Sequence, residues 1–143
     1  MLAFDTNLVV HACNIRSPVH AQSVAFLEGL AGRVDVVVCE LMLVELYLKI
    51  RNPAILTNPY PPGEAAAFCQ AFRSNPHWVL VESAPVMDAV WPLASRRDFA
   101  FRRIIDARLA LTLRHHGVTE FATANEKDFS GFGFSRVWNP LKS

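Results

Sequence analysis

The chain has 143 residues, of which 52% are hydrophobic, 10% aromatic and 19% charged, with a formal net charge of +1. This length and composition predict one globular domain, residues 1–143, with a sizeable core, and they exclude a disordered chain. The near-neutral charge excludes a protein that binds nucleic acid over its whole surface.

The sequence gives no indication of export or of membrane insertion. No apolar run approaches the roughly 18 residues that a membrane span needs. Asp5 also interrupts the N-terminal segment where a secretory signal would continue with apolar residues. The cysteines Cys13, Cys39 and Cys69 are widely spaced and form no CxxC pair, which is typical of reduced core thiols and does not favour zinc. We therefore expect a cytoplasmic protein without membrane contact.

The first half of the chain predicts two strands and three helices. A short apolar strand ends at Asp5, and a short helix over 8–15 follows. Ser17-Pro18 starts a second helix, because a hydroxyl N-cap precedes proline at the first helical position. The β-branched run 34–38 predicts a buried parallel strand. The segment 40–50 predicts a helix that is apolar on nearly every side and therefore buried.

The second half continues the alternation of helices and strands. Its predicted elements are helix 64–74, strand 77–82, a helix from Ser83 that Pro92 interrupts, helix 104–116 capped by Gly117, strand 118–122 and edge strand 136–138. Short apolar strands separated by helices predict an α/β fold. We expect three layers, α/β/α, around a short, mostly parallel, doubly wound sheet.

Four acidic residues take similar places in these elements. Asp5 ends the first strand, and Glu45 lies in the helix after the second. Asp106 opens the helix before a late strand, and Asp128 follows that strand. In a doubly wound fold the carboxyl ends of the strands and the N-termini of the helices share one edge. The pattern therefore predicts one acidic site that all four residues share.

Each acid also has a simpler explanation. Asp5 could cap the following helix, Lys49 could pair with Glu45 at the i+4 position, and Asp106 could stabilise the positive end of its helix. A shared site explains all of them at once. Clustered carboxylates repel one another unless a cation bridges them, and a set of oxygen ligands favours Mg²⁺ or Mn²⁺ over zinc.

A basic segment accompanies this acidic pattern. Six arginines lie between Arg96 and Arg114, against two acids. Arginine pairs well with phosphate oxygens, although such a segment is also typical of a solvated helix face. With divalent ions at the acids, the arrangement predicts a phosphodiester substrate. Arg102, Arg103 and Arg108 are the candidate phosphate contacts.

In order and spacing, these motifs resemble the PIN domain, and most of all the ribonuclease toxins of VapBC toxin–antitoxin pairs. The matching motifs are Asp5-Thr6-Asn7, LVELY around Glu45, IIDARLALTLRHHGV around Asp106, and TANEKDF. The resemblance covers nearly the whole chain. It implies a Mg²⁺- or Mn²⁺-dependent endoribonuclease that forms a homodimer, cuts RNA and is inhibited by a small antitoxin.

The resemblance also implies the roles of the site residues. Asp5, Glu45 and Asp106 match the three core acids of the family, with Asp5 and Asp106 as direct metal ligands. Many members carry a fourth acid at the position of Asn125, so either Asn125 or Asp128 completes this site. Thr6 and Asn7 match polar residues beside the first acid.

The sequence leaves two other classes of function open. A phosphatase that used Asp5 as a nucleophile would need a second aspartate where this chain has Asn7. A catalytically degenerate PIN-like domain would bind RNA or a protein partner without cleavage, and Asn125 leaves this alternative open.

Overall fold

The computed structural model describes residues 1–142 and contains six helices, five strands and a short 3₁₀ turn, Glu126–Phe129, within that range. The helices are Thr6–Cys13 (α1), His20–Leu30 (α2), Glu40–Ile50 (α3), Pro62–Arg73 (α4), Met87–Ala94 (α5) and Arg103–His115 (α6). The strands are Leu2–Phe4 (β1), Val37–Cys39 (β2), Val79–Val81 (β3), Glu120–Ala122 (β4) and Arg136–Trp138 (β5). No helix among these residues is long and apolar enough to cross a membrane.

The strands form two parallel groups, β1-β4-β5 and β2-β3. A parallel bridge between Leu2 and Val36 joins the groups, and the Leu2 N–H donates to the Asp35 carbonyl at 2.8 Å. The spatial order is therefore β3-β2-β1-β4-β5. The chain builds outwards from β1 to β3 and then crosses to β4. The switch point of this doubly wound sheet lies between β1 and β4, where ligands bind in such folds.

Helices cover the sheet in two layers. Helix α1 packs on α2 and α3, and α3 packs on α4, whereas α5 packs on α6. The expected three-layer α/β/α architecture is confirmed. Between the layers lies a core of fully buried side chains that includes Phe4, Leu8, Met42, Leu109 and Phe121.

Several predicted boundaries are confirmed and others are wrong. Helix α3 and strand β5 have the predicted bounds. Strand β2 begins at Val37, three residues later than predicted, because Val34 is exposed beside the ion pair of Arg33 and Asp35. Helix α2 begins at His20, two residues after the predicted start.

Ser17 explains the late start of α2. Its hydroxyl accepts a hydrogen bond from the Val19 N–H at 3.3 Å and pairs with His11 Nδ1 at 2.8 Å. The serine therefore shapes a turn that connects α1 to α2 and does not cap the helix at Pro18.

Candidate active site

Asp5 stands at the switch point of the sheet. Its N–H donates to the Ala122 carbonyl of β4 at 2.8 Å, which extends the β1–β4 ladder by one residue. Its side chain is only 5% exposed. The carboxylate makes no side-chain capping hydrogen bond to α1, and the Asn7 N–H lowers the pKa of the Asp5 carboxyl by less than burial raises it. Asp5 is thus a buried acid at the edge where ligands bind, and helix capping does not explain it.

A buried threonine at the end of the neighbouring strand holds this carboxylate. Thr123 follows β4, and its hydroxyl donates to Asp5 Oδ2 at 2.8 Å. The same hydroxyl accepts from the Asn125 N–H at 3.0 Å. Thr123 therefore links the end of β1 to the turn that carries Asn125. The sequence offered one signal for this role, a small polar residue directly after a short predicted strand.

Burial dominates the electrostatics of Asp5. Loss of solvent raises the pKa of its carboxyl above the usual 3.8, and the negative charge of Glu45 adds to the rise. The Thr123 hydrogen bond and the positive charge of Lys49 act in the opposite direction, with a smaller effect. The site therefore favours a cation beside Asp5.

Glu45 reaches the site from α3 together with Lys49. Lys49 Nζ lies 2.9 Å from Glu45 Oε1, 2.8 Å from Thr6 Oγ1 and 2.9 Å from Asn7 Oδ1. Thr6 Oγ1 is also 3.5 Å from an oxygen of Asp5 and from one of Glu45. The expected i+4 pair of Glu45 and Lys49 is present. It forms one network with the polar residues beside Asp5.

Asp106 completes a group of three acids. It lies in the first turn of α6 and is half-buried. Desolvation raises the pKa of its carboxyl to about 6, and the negative charges of Asp5, Glu45 and Asp128 contribute to this rise. Asp106 is therefore near enough to the other three acids for their charges to act on its carboxyl.

Asn125 and Asp128 lie at the open side of the site. Both side chains are exposed, Asn125 directly before the 3₁₀ turn and Asp128 within it. Asp128 is close enough for its charge to raise the pKa of Asp106. Either side chain could approach a ligand from this turn.

The three candidate arginines differ in their surroundings. Arg103 Nη2 donates to the carbonyls of Asp128 and Ser130 at 3.2 and 3.3 Å, and its guanidinium lies over the Phe99 and Phe132 rings. These contacts support the turn that carries Asp128. Arg102 and Arg108 are exposed, and Arg102 stacks on the Phe101 ring.

An apolar groove adjoins Glu45. Its volume is about 590 Å³, and its walls are Leu41, Val44, Glu45, Leu48, Met87, Ile104, Ile105 and Arg108. Val44, Leu48 and Ile105 are more than half exposed. The prediction of a buried α3 is therefore wrong for this side of the helix. The sequence pattern misleads because both sides of α3 are apolar.

The residues at the site fit a divalent cation by their chemistry. Asp5, Glu45 and Asp106 offer hard oxygen ligands and raise one another's negative potential, which Mg²⁺ or Mn²⁺ would neutralise. No group of three Asp, Glu, His or Cys residues within 1–142 is already arranged as a metal cage. The ammonium group of Lys49 supplies positive charge among these acids.

The fold resembles solved PIN-domain toxins. The structure matches VapC20 of Mycobacterium tuberculosis, described as a Sarcin-Ricin loop cleaving toxin, with a TM-score of 0.64 and 15% identity over 94% of this chain and 96% of that chain. It matches FitAcB of Neisseria gonorrhoeae with a TM-score of 0.65 and 19% identity over the full length of both chains. The fold class is thus that of the PIN-domain toxins.

Sequence comparison gives the family. The chain is 56% identical to Ribonuclease VapC24 of Mycobacterium tuberculosis over 143 residues, which cover 100% of this chain and 99% of that protein. It is 28% identical to Ribonuclease VapC48 of the same organism over 96% of each chain. No family model matches the chain. The protein belongs to the VapC family of PIN-domain ribonucleases.

Proposed function

We propose that this protein is a Mg²⁺- or Mn²⁺-dependent endoribonuclease and the toxin of a type II toxin–antitoxin pair. The proximity of Asp5, Glu45 and Asp106 near the switch point of the sheet supports this proposal most strongly. Asp5 is buried and the other two acids are partly buried, and carboxylates that repel one another in such a setting favour a divalent ion. The full-length similarity to a named ribonuclease gives the same class of reaction. It also disfavours the alternative of a binding domain without catalysis.

We propose a role for each residue at the site. Asp5 and Asp106 would hold the ion directly, and Glu45 would do so directly or through water. Thr123 fixes the orientation of the Asp5 carboxylate, and Asp128 or Asn125 would close the site from the turn. When bound, the ion supplies charge neutralisation for a phosphodiester and activation of water. Arg102 and Arg108 are exposed and available to RNA phosphates, whereas Arg103 acts through the turn.

Cleavage of a mixed pool of structured RNA tests the proposal. Purified protein without its partner should cut RNA with Mg²⁺ or Mn²⁺ and not with EDTA. Asp5→Asn and Asp106→Asn should each lose at least about a hundredfold in rate, as loss of a group that stabilises the transition state does. Asp88→Asn, at an exposed carboxyl on α5, is the matched control and should retain activity. Cleavage that persists in both site variants would exclude the assignment.

We also propose that the antitoxin binds in the apolar groove beside Glu45. Charge complementarity supports this occupant: an apolar segment could fill the groove while a basic side chain at its end reaches the acidic site. Leu48→Glu should weaken both co-purification with the co-expressed antitoxin and inhibition of cleavage. Val34→Glu, at an exposed valine outside the groove, should change neither. If the antitoxin inhibits the wild type, Leu48→Glu and Val34→Glu equally, the groove is rejected as its binding site.

Two further properties follow from the family resemblance and belong to the same proposal. We propose a homodimer, which light scattering would detect as twice the 16.0 kDa of one chain. We also propose a cytoplasmic location, where the three free cysteines would stay reduced.

A further inference from the structure

Lys49 is the cation that the fold places among the acids of the site. Its side chain is 22% exposed, and its ammonium group contacts Glu45 Oε1, Thr6 Oγ1 and Asn7 Oδ1 at 2.8 to 2.9 Å. An ammonium group has three protons to donate, so these three contacts use its full capacity. The lysine is thus held in one place by groups from two helices.

This arrangement differs from a common i,i+4 ion pair on a helix surface. Such a pair involves one helix, faces solvent and contributes little to stability. Lys49 instead joins α3 to the start of α1, 42 and 43 positions away in the sequence. Its partners Thr6 and Asn7 directly follow Asp5. The placement therefore serves the acidic site as well as the pair with Glu45.

The charge of Lys49 acts on more than Glu45. Burial raises the pKa of Asp5 and that of Asp106, and the positive charge of Lys49 opposes the rise in both carboxyls. A divalent ion held by these acids would meet an ammonium group already paired with one of them. Two cations so close together would repel each other.

We propose that Lys49 is an internal counter-cation that stabilises the metal-free site, competes with the divalent ion and leaves the carboxylates when the ion binds. This inference rests on the proposed metal-dependent function. In this inference, competition from Lys49 sets the concentration of the divalent ion at which the site fills. Without the ion, the lysine keeps Glu45 paired and the polar start of α1 in place.

Titration of the metal-free protein with Mn²⁺, followed by electron paramagnetic resonance, tests the competition. Lys49→Met keeps the length of the side chain and removes its charge, so it should bind Mn²⁺ at least about tenfold more tightly than the wild type. Lys49→Arg keeps the charge and should stay close to the wild-type affinity. Arg51→Gln removes an exposed charge from the end of the same helix and is the matched control, with an expected change below about twofold.

The departure of Lys49 has its own measurement, which uses the wild-type chain. Brief acetylation followed by mass spectrometry reports the reactivity of each of the three lysines. Mn²⁺ should increase the reactivity of Lys49 several-fold, because its ammonium group is released from its three partners. Lys142 is exposed and is not one of the residues proposed to hold the ion, so it serves as the internal control that should change little.

The outcomes separate this inference from the proposed function. If neither the wild type nor Lys49→Met binds Mn²⁺, the proposed metal site fails and the inference fails with it. If the wild type binds Mn²⁺ and Lys49→Met binds with equal or lower affinity, the metal site stands and the competition is rejected. Unchanged acetylation of Lys49 at saturating Mn²⁺ would reject its departure, even if the methionine variant does not fold.

Discussion

Single residues at the switch point are coupled through the Asp5 carboxylate. Three of its neighbours were visible in the sequence as separate features: Glu45 as an acid in an apolar helix, Lys49 as its i+4 partner, and Thr6 as a polar residue beside the first acid. The contacts of Lys49 to Thr6 and Asn7 could not be predicted, because they depend on how α3 packs on α1.

Loss of the Thr123 hydroxyl should destabilise the protein. Thr123→Val keeps the shape of the side chain but leaves the buried Asp5 carboxylate without its hydrogen-bond donor, at a cost of about 1–3 kcal/mol in the free energy of unfolding. Urea denaturation of the metal-free protein measures the difference.

Thr112→Val is the matched control, for which no loss of stability is expected. Thr112 is also fully buried, and its hydroxyl has no hydrogen-bond partner among residues 1–142. Thr112→Val should therefore be neutral or stabilising, because no hydrogen bond is lost. Equal losses of stability in Thr123→Val and Thr112→Val would show that the hydrogen bond from Thr123 to Asp5 makes no particular contribution to the free energy of unfolding.

Asp106 should make the stability of the metal-free protein depend on pH. Its pKa is about 6 in the folded protein, against an ordinary 3.8. Between these values the folded chain binds more protons than the unfolded chain, so the contribution of Asp106 to stability decreases as the pH rises to about 6. Above that pH the charged Asp106 carboxylate lowers the free energy of unfolding.

Asp106→Asn should remove this cost. In EDTA at pH 7 the variant should melt a few degrees higher than the wild type, an effect limited by solvent screening at the half-exposed carboxyl. Near pH 4 the two melting temperatures should converge. A scan of thermal melting against pH measures both. An equal gain at every pH would contradict a role for the titration of Asp106.

At the scale of elements, helix α6 ends as its sequence predicts. Gly117 has φ +87°, its N–H donates to the Arg114 carbonyl at 3.1 Å, and the Val118 N–H donates to the Leu113 carbonyl at 3.0 Å. These two bonds form a Schellman motif. The buried side chains of Leu113 and Val118 flank it.

Gly117→Ala should cost about 1 kcal/mol of folding stability, because alanine disfavours positive φ. Gly29→Ala is the opposite test: Gly29 is inside α2 with negative φ and free space around an added Cβ, so alanine should stabilise by about 0.5–1 kcal/mol. Chemical denaturation measures the free energy of unfolding of both variants. The same sign for both would contradict the backbone argument.

The buried side of a helix was harder to predict than the residues at which the helix begins and ends. Helix α3 has the predicted ends, but Val44 and Leu48 are exposed beside the groove. Periodicity identifies a buried side by contrast with a polar one, and α3 lacks that contrast. Only the packing of α3 on α1 and α4 determines which apolar side remains open.

The strand order of the whole molecule explains why the acidic residues lie near one another. The sequence placed Asp5, Glu45 and Asp106 at one edge of a parallel sheet, and the structure confirms such a sheet. It could not give the strand order, which depends on the long crossover from β3 to β4. That crossover puts β4 beside β1 and brings Thr123 to Asp5. The site is therefore assembled by residues from both ends of the chain.

Binding of Mn²⁺ should stabilise the whole fold, because the proposed ligands come from α3, α6 and the residue after β1 and are separated in the unfolded chain. At an ion concentration of about 100 times Kd the gain is about 2.7 kcal/mol, or several degrees in melting temperature. Differential scanning calorimetry with Mn²⁺ and with EDTA measures it. Asp5→Asn should lose the gain and Asp88→Asn should keep it. An equal gain in the Asp5 variant would mean that the ion binds elsewhere, and the carboxylates would then need another explanation for their proximity.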